Sequence, residues 1–303
     1  MVPARYSRER GLTSRVVLTM VLLAVLYGLL VTPFFQVSTL WGLAAVAAVA
    51  VLLTAQFRYA DNVALWAMDA REVSAAEEPE LHGLVERLCM SSGLPKPRVA
   101  VADTEIPNAF AAGCRRDRAV VCVTTGLRER LDVAELESVL AHEMAHLAHR
   151  DVVVATIAGF PAFCGGLIIT TVSGLLLGEG RLAARLAGVV LLPMVALAVL
   201  LFPLSQLLNL AISRQRELCA DRTGALLTGR PAASSAALTK ICAEIESAPT
   251  AELRELRPLN GLLTVPARAT GRAVADLVST HPPVEVRVRR LTEVSQRLAS
   301  GRR

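Results

Sequence analysis

The sequence predicts a mainly α-helical membrane protein, with four transmembrane helices and a separate α+β domain that carries a small β-sheet. Three observations support this fold class. The chain is 53% hydrophobic with a mean hydropathy of +0.47, which exceeds what a soluble globular domain usually carries. Its long uncharged runs come in two pairs. Between and after these pairs lie amphipathic helical patterns and a short β-branched run at residues 119–124.

The two pairs of uncharged runs predict two membrane hairpins. Residues 16–57 contain no charged side chain and are interrupted near the middle by Thr32-Pro33, which is typical of two spans of about 20 residues each. Uncharged runs at 152–178 and 186–213 predict the second hairpin. A cleaved signal peptide is the alternative for the first run. It is disfavoured because no A-x-A-like site follows and another apolar run comes next.

The distribution of arginines predicts the orientation of the chain. Arg5, Arg8, Arg10 and Arg15 precede the first hairpin, so the positive-inside rule places the N-terminus in the cytosol. The expected order is a cytosolic basic N-terminus (1–15), a first hairpin (16–57), a first part of the α+β domain (58–151), a second hairpin (152–213) and a second part (214–303). Arg181 and Arg185 fall in the loop predicted outside, so a shallow re-entrant second hairpin is the alternative.

The net charge and the cysteines indicate which binding partners and which cellular compartment to expect. The net charge is +5 and the pI is about 9.1, but the basic residues are scattered rather than clustered, which argues against nucleic-acid binding. The six cysteines show no C-x-x-C spacing. We expect free thiols in a reducing compartment, facing the cytosol.

The α+β domain is predicted to begin with a helix and a small sheet. Ser74 lies three residues before Glu77, ahead of an apolar helical periodicity, which is typical of a capped amphipathic helix. After Gly93 and the prolines that follow it, residues 99–102 are a strand candidate. A charged turn at 115–118 leads into a β-branched run at 119–124, so two strands joined by a polar turn are expected to form a sheet with an exposed edge.

The central helix is predicted over residues 133–149. Asp132 and Glu135 form a capping box ahead of its apolar positions. The helix carries H-E-x-x-H, with His142 and His146 one turn apart on the same face. Two imidazoles so placed can share one zinc ion while Glu143 reaches a metal-bound water. The sequence therefore predicts a zinc peptidase with a zincin-like α+β domain, holding one Zn²⁺ per chain.

A catalytic zinc site needs a third protein ligand. The pattern H-E-x-x-H-x-x-G-x-x-H fails, because it requires Gly and His where the chain has His149 and Val152. A glutamate from a later helix remains, and Glu217 is the best candidate. Asp221, one turn on, can accept the second ring N–H of a ligating histidine. We interpret Cys219 and His149 as structural.

Several motifs together resemble the HtpX group of membrane-integral zinc metalloproteases. They are P-N-A-F-A-A-G at 107–113, V-x-V-T-T-G-L at 121–127, L-A-H-E-M-A-H at 140–146, H-R-D at 149–151, R-Q-R-E-L-C-A-D at 214–221 and T-H-P-P at 280–283 with Arg287 downstream. Leu218 departs from the group, which commonly has an aromatic residue there. The resemblance implies a cytosol-facing endopeptidase of the bacterial inner membrane, acting in quality control of membrane proteins, and strengthens Glu217 as the third ligand.

Further roles follow for residues around the predicted zinc. Glu143 is expected to take the proton of the attacking water and pass it to the leaving amine. His281, matched to the group's H-P-P histidine, is predicted to donate to the oxyanion, with a capping or loop histidine as the alternative. The sheet edge with Val121 and Val123 is predicted to receive the substrate by strand addition. Asn108 is predicted to anchor a substrate carbonyl; as alternatives, the edge is plain scaffold and Asn108 a turn former.

Three other functions compete with this prediction. An intramembrane metalloprotease would need a second carboxylate motif inside a later span, and residues 186–213 contain none. A sensor-transducer protease would normally add an extracellular domain. A non-catalytic membrane scaffold predicts a broken motif, whereas all three ligands and the base are present. The expected partners are polypeptide substrates, mainly membrane proteins, and the lipid bilayer. Residues 248–278 have little periodicity and are expected to form a mobile loop.

Overall fold

The computed structural model describes residues 21–300, apart from residues 23, 26, 30, 33, 178–181 and 248–280. This part of the chain is mainly helical with one small mixed sheet, as predicted. It divides into a site-bearing unit, residues 57–153 and 213–300, and an apolar unit, residues 21–56 and 154–212. The helices are α1 (Tyr27–Val37), α2 (Thr39–Ala67), α3 (Pro79–Ser92), α4 (Thr125–Arg130), α5 (Val133–His149), α6 (Asp151–Leu177), α7 (Leu182–Val190), α8 (Leu192–Thr228), α9 (Pro231–Ser247) and α10 (Val284–Ala299). The strands are β1 (Ala70–Glu72), β2 (Arg98–Ala102), β3 (Ala109–Ala112) and β4 (Val120–Thr124).

Two helices of the described chain, α2 and α6, are long and apolar enough to cross a membrane, with mean hydropathies of 2.0 and 2.2. In the apolar unit, Phe160 stacks on Tyr27 with ring centroids 5.6 Å apart. The Tyr27 hydroxyl donates to the Ile157 carbonyl at 2.9 Å. Four spans therefore stay a prediction. The basic N-terminus and the loop predicted over 248–278 lie outside the described residues.

Two local predictions about helix starts are wrong. No new helix begins at Ser213, because α8 continues from Leu192 to Thr228; residues 204–223 contain no proline or glycine that would break it. Ser74 does not cap α3, which begins at Pro79. Instead, the Glu77 carboxylate accepts from the backbone N–H and the hydroxyl of Ser74, both at 2.7 Å, and closes a separate turn.

The sheet of the site-bearing unit has the strand order β1-β2-β4-β3. Strands β2 and β4 are parallel, and the two outer pairings are antiparallel. Because β4 is paired on both sides, Val121 and Val123 are interior and each only 1% exposed. They cannot form a strand-receiving edge, so the prediction that they contact substrate is wrong. The outer strand on that side is β3.

Alternating residues of the sheet build two cores, as the period of two requires. Val99 and Val101 face a core shared with helices α3, α5 and α9. Ala100 and Ala102 face the opposite side, where the end of α2 packs. The sheet is therefore covered by helices on both faces, and α5 lies directly against one of them.

The ends of α5 are fixed by its own sequence. Asp132 accepts from the backbone N–H of Ala134 and of Glu135, and the Glu135 side chain accepts from the Asp132 N–H, so the predicted capping box is present. The helix ends at His149, and the next residue, Arg150, has a left-handed φ of 57°. A non-glycine residue rarely adopts this conformation. It turns the chain sharply between His149 and Asp151.

Candidate functional site

Helix α5 presents three of the predicted site residues. The Nε2 atoms of His142 and His146 are 3.1 Å apart, and their rings meet edge to face at 86°. The Glu143 side chain, one residue from His142, is buried. One helix thus supplies two converging imidazoles and a neighbouring carboxyl group.

Helix α8 supplies the third donor. Glu217 Oε1 lies 3.3 Å from His146 Nε2, and Glu217 Oε2 lies 3.6 Å from His142 Nε2. All three donor atoms fall within 4.8 Å of one another, and this group, the one found in the described chain, omits His149 and Cys219.

The donor spacings match a tetrahedral metal site. A tetrahedron with metal–ligand bonds of about 2.0–2.1 Å has edges of about 3.3 Å, close to the 3.1 Å between the two imidazole nitrogens and to the distance from each of them to the nearer oxygen of Glu217. Glu217 Oε2 is buried and has no hydrogen-bond partner among the described residues. Arg287 Nη1 lies 3.6 Å away, beyond hydrogen-bond length. These residues therefore fit a bound divalent cation.

Gly224 lets the two ligand-bearing helices approach. It lies seven residues after Glu217, on the same face of α8. A Cβ at this position would stand 2.9 Å from the backbone N and 3.2 Å from the Cα of His142. Only glycine fits this contact without moving one of the helices.

An aspartate–arginine pair lies next to the Nδ1 atom of each metal-binding histidine. Asp221 Oδ1 lies 3.0 Å from His142 Nδ1, and Arg287 donates to the same carboxylate through Nε at 2.8 Å and Nη2 at 2.7 Å. Arg287 is 1% exposed. The C-terminal helix α10 is thereby joined to the metal-binding residues by a bidentate pair, the strong form of this interaction.

The second pair serves His146. His146 Nδ1 donates to Asp151 Oδ2 at 2.7 Å, and the other oxygen of Asp151 lies 2.7 Å from Arg216 Nε. The left-handed turn at Arg150 brings Asp151 back towards the preceding helical turn. A buried carboxylate thus stands beside each Nδ1: it accepts from His146 and lies 3.0 Å from that atom of His142, so that each Nε2 is left to bind the metal.

The charges of the site favour ionised carboxylates and basic imidazoles. Burial lowers the pKa of His146, but its hydrogen bonds to Asp151 and Glu217 outweigh this effect and raise it to about 10. Burial likewise opposes protonation of His142, whose pKa is raised by Asp221 and Glu217. Against burial, the surrounding histidines hold the pKa of Glu217 well below its usual range. For Asp221, the guanidinium of Arg287 does the same and lowers the pKa to about 2.

For two groups, burial shifts the pKa in the direction that favours the uncharged form. Burial raises the pKa of Glu143 above its usual range, although the charges of His142 and His146 hold it down in part. Burial lowers the pKa of His281 to about 4, against the attraction of Glu217. At pH 7 His281 is therefore a neutral hydrogen-bond donor, and Glu143 is a stronger base than an exposed glutamate.

The remaining predicted residues lie at different places in the site-bearing unit. His281 is buried just before α10, with Nε2 3.7 Å from Glu217 Oε1. Asn108 is buried immediately before β3, and its backbone N–H donates to Thr124 Oγ1 at 2.9 Å. Val121 and Val123 lie in the core under α5, away from the metal-binding donors.

Sequence reasoning did not assign roles to four residues that shape the site: Gly224, Asp151, Arg216 and Arg287. Asp151 and Arg287 stood within the motifs that carried the family resemblance, and Arg216 directly precedes Glu217. The available signal was a charged residue next to a predicted ligand or a predicted membrane run. Nothing local in the sequence indicated which charges pair.

Comparison with known proteins decides the family. The model of "Peptidase family M48" matches residues 75–295. This chain belongs to peptidase family M48. "Protease HtpX homolog 1" of Streptomyces coelicolor is 43% identical over 298 residues, which cover 98% of this chain and 97% of the relative. "Protease HtpX homolog" of Moorella thermoacetica is 41% identical over 301 residues, which cover 97% of this chain and 98% of the relative.

The fold of this M48 protein is also found in a solved structure. The crystal structure of S. mikatae Ste24p resembles it with a TM-score of 0.52 and 19% identity, covering 93% of this chain and 67% of that chain. At this identity the similarity concerns the fold alone. With its HtpX relatives, its His-His-Glu group and two helices apolar enough to span a membrane, the M48 protein is a membrane metalloprotease that acts on polypeptides.

Proposed function

We propose that the protein is a zinc-dependent endopeptidase of the bacterial cytoplasmic membrane that cleaves misfolded or damaged membrane proteins on the cytosolic side. One zinc ion per chain is held by His142, His146 and Glu217. The observation that carries the metal assignment is the convergence of these three donors, from two helices, beside the buried Glu143. Two imidazoles and one carboxylate are a typical catalytic zinc set with one position left for water or substrate.

The residues around the metal have separate tasks. When bound, zinc supplies Lewis acidity, which lowers the pKa of water towards 7 and polarises the scissile carbonyl. Glu143 accepts the proton of the attacking water and delivers it to the leaving amine. Its raised pKa suits both steps. Neutral His281 donates its N–H to the oxygen that gains negative charge.

The substrate is proposed to pair with the outer strand β3. An extended peptide placed along a strand is held by main-chain hydrogen bonds whatever its sequence, which suits a protease of broad specificity. β3 packs beside α5, the helix that carries the two histidines. Asn108, at the start of this strand, would anchor a substrate carbonyl through its side-chain amide.

Charge and thiol chemistry support the cytosolic orientation. Arginines precede the first uncharged run and follow the second pair of runs, as the positive-inside rule requires of cytosolic segments. None of the six cysteines, all of which lie in the described part of the chain, forms a disulfide bond, in keeping with a reducing compartment. Two hairpins with four spans complete this proposal, and the nearby bilayer makes membrane proteins the natural substrates.

Glu143→Gln tests the mechanism. The variant should retain about one zinc per chain, because Glu143 is not a ligand, while cleavage of an unfolded membrane protein or casein-like substrate disappears. Glu129→Gln, which changes an exposed glutamate on α4, should behave as wild type in both measurements. Cleavage by Glu143→Gln at the wild-type rate would refute the proposed role of the base.

A reporter fused after residue 178 tests the topology separately. Four full spans require this position to lie outside the cytosol. A cytosolic reporter would reject a membrane-crossing second hairpin, and the proposed chemistry would be unaffected.

A further inference from the structure

The end of α2 carries an exposed apolar stripe. Tyr59, Val63 and Trp66 are 50%, 59% and 84% exposed. They are spaced four and three residues apart, so they lie along one face of the helix. Trp66 is among the most exposed large apolar residues of the described chain, which is unusual because tryptophan is highly buried on average.

The opposite face of the same helix segment is held firmly. Asp61 is 1% exposed, and its carboxylate accepts from Arg98 and from Arg118 Nε, the latter at 3.2 Å. Below it, apolar residues pack on the sheet: Ala64, Leu65 and Met68. Rotating α2 to bury the stripe would expose this core and the Asp61 ion pair. The packing of the opposite face therefore keeps the stripe on the surface.

The stripe continues a helix that is itself a candidate membrane span. Only 6% of the most apolar window of α2 is buried. About 20 residues cross the hydrocarbon core, so a span that starts at Thr39 ends near Arg58. Tyr59 then begins the headgroup region. Helical side chains lean towards the N-terminus, which for α2 is back towards the bilayer, and so the Trp66 ring reaches towards the membrane.

The chemistry of the stripe matches this position. Tyr and Trp concentrate where the apolar acyl chains meet the polar headgroups, because each has an apolar ring and one polar atom. Arg58, exposed next to Tyr59, adds a cation at phosphate level. A solvent-facing helix end would be expected to carry polar residues at these positions.

We propose that Tyr59, Val63 and Trp66 face the headgroup region of the bilayer that the protein spans, with Tyr59 nearest the acyl chains and Trp66 furthest from them. Because α2 is one unbroken helix, a tilt of its span within the usual range of up to about 40° would turn this face towards the headgroups while the other face supports the sheet.

Tryptophan fluorescence tests this proposal directly, because the chain has only two tryptophans. Trp41→Phe leaves Trp66 as the sole reporter in the full-length protein. The variant is reconstituted in phosphatidylcholine–phosphatidylglycerol vesicles that contain lipids brominated at a shallow or a deep acyl position. The expected result is a blue-shifted emission that loses intensity with the shallow label, loses less with the deep label and is little affected by aqueous iodide.

A matched control uses Met90, which is 78% exposed on α3, a helix that packs on the face of the sheet opposite to the end of α2. Met90→Trp, made together with Trp41→Phe and Trp66→Phe, should be quenched by iodide and unaffected by brominated lipid. If Trp41→Phe does not fold, the difference between wild type and Trp66→Phe gives the Trp66 signal.

Three outcomes would overturn the proposal. Quenching of Trp66 by iodide but not by lipid would place it in water. Protection from both quenchers would mean that protein covers the stripe, either another part of this chain or a second copy. Stronger quenching by the deep label than by the shallow one would place the stripe inside the hydrocarbon core.

Discussion

Replacing Gly224 with alanine is expected to push apart the two helices that carry the metal-binding side chains. The added Cβ would stand 2.9 Å from the backbone N of His142 and 3.1 Å from the carbonyl carbon of Ala141. Ordinary contacts lie at about 3.5–4.0 Å, so α8 has to move by roughly 0.5–1 Å. The clashing atoms belong to the backbone of a capped helix, so they cannot move aside as the end of a flexible side chain could.

The displacement is large on the scale of a metal site. Metal–ligand distances tolerate changes of about 0.2 Å, and Glu217 lies on the helix that moves. We therefore expect the zinc affinity of Gly224→Ala to fall by about 10–100-fold, as for other losses of ligand support. Misplacement by 1 Å costs about 10²-fold in rate, so turnover should drop by a similar factor even with saturating zinc.

Gly83→Ala provides the matched control. Gly83 also lies within a helix, α3, but its added Cβ would meet only Arg87 Nη1, at 3.9 Å. Alanine there should leave zinc binding and turnover unchanged and stabilise the protein by up to about 1 kcal/mol. Zinc affinity by chelator competition and turnover with a fluorogenic peptide are the assays. If Gly224→Ala matched Gly83→Ala in both, the close packing of α5 and α8 would not define the site.

Three further predictions concern the aspartate–arginine pairs and pH. Asp151→Asn should weaken zinc binding by about 10–100-fold in chelator competition, since the amide carries no charge and can accept from His146 only by turning its NH2 group towards Arg216 Nε; wild-type affinity would contradict this. Arg287→Gln should destabilise the zinc-free protein by about 3–5 kcal/mol, because the buried Asp221 carboxylate loses its bidentate guanidinium partner, and Arg287→Lys should recover part of this loss in thermal unfolding. The raised pKa of metal-free His146, about 10, means that it holds a proton at pH 7 that zinc has to displace. Affinity for zinc should therefore rise about tenfold per pH unit between pH 7 and 9, with proton release visible by calorimetry; a flat profile would contradict the raised pKa.

The sequence allowed the ligand-bearing helix to be predicted in detail, because its signals are local. The capping box of Asp132 and Glu135 and the spacing of His142 and His146 act within one or two turns of helix. Glu217 was also accessible, since its partner Asp221 is four residues away on the same face. The structure brings these residues together as that pattern indicates.

The order of the strands in the sheet could not be predicted from local sequence patterns. Strand β4 lies between β2 and β3, although β3 precedes it in the chain, so the interior position of Val121 and Val123 depends on a crossover. A β-branched run has the same composition at an edge or in the middle of a sheet. Strand β1, three residues long, carries too short a pattern to be recognised.

The supporting pairs needed the three-dimensional structure for a different reason. Arg287 and Asp221 are 66 residues apart, and no spacing rule joins positions that far apart in sequence. Gly224 looks like an ordinary helix glycine in the sequence. Glycine is required there only because a Cβ would collide with the backbone of His142 on the neighbouring helix α5.

X-ray absorption at the zinc edge of the purified protein would test the proposed metal site. Coordination by His142, His146 and Glu217 predicts two imidazole nitrogens at about 2.0–2.1 Å and oxygen donors at about 2.0–2.2 Å, without sulfur. Glu217→Ala should remove the carboxylate contribution and lower the zinc content. A sulfur scatterer near 2.3 Å, as Cys219 would give, or a third imidazole from His149 or His281, would contradict the proposed ligand set.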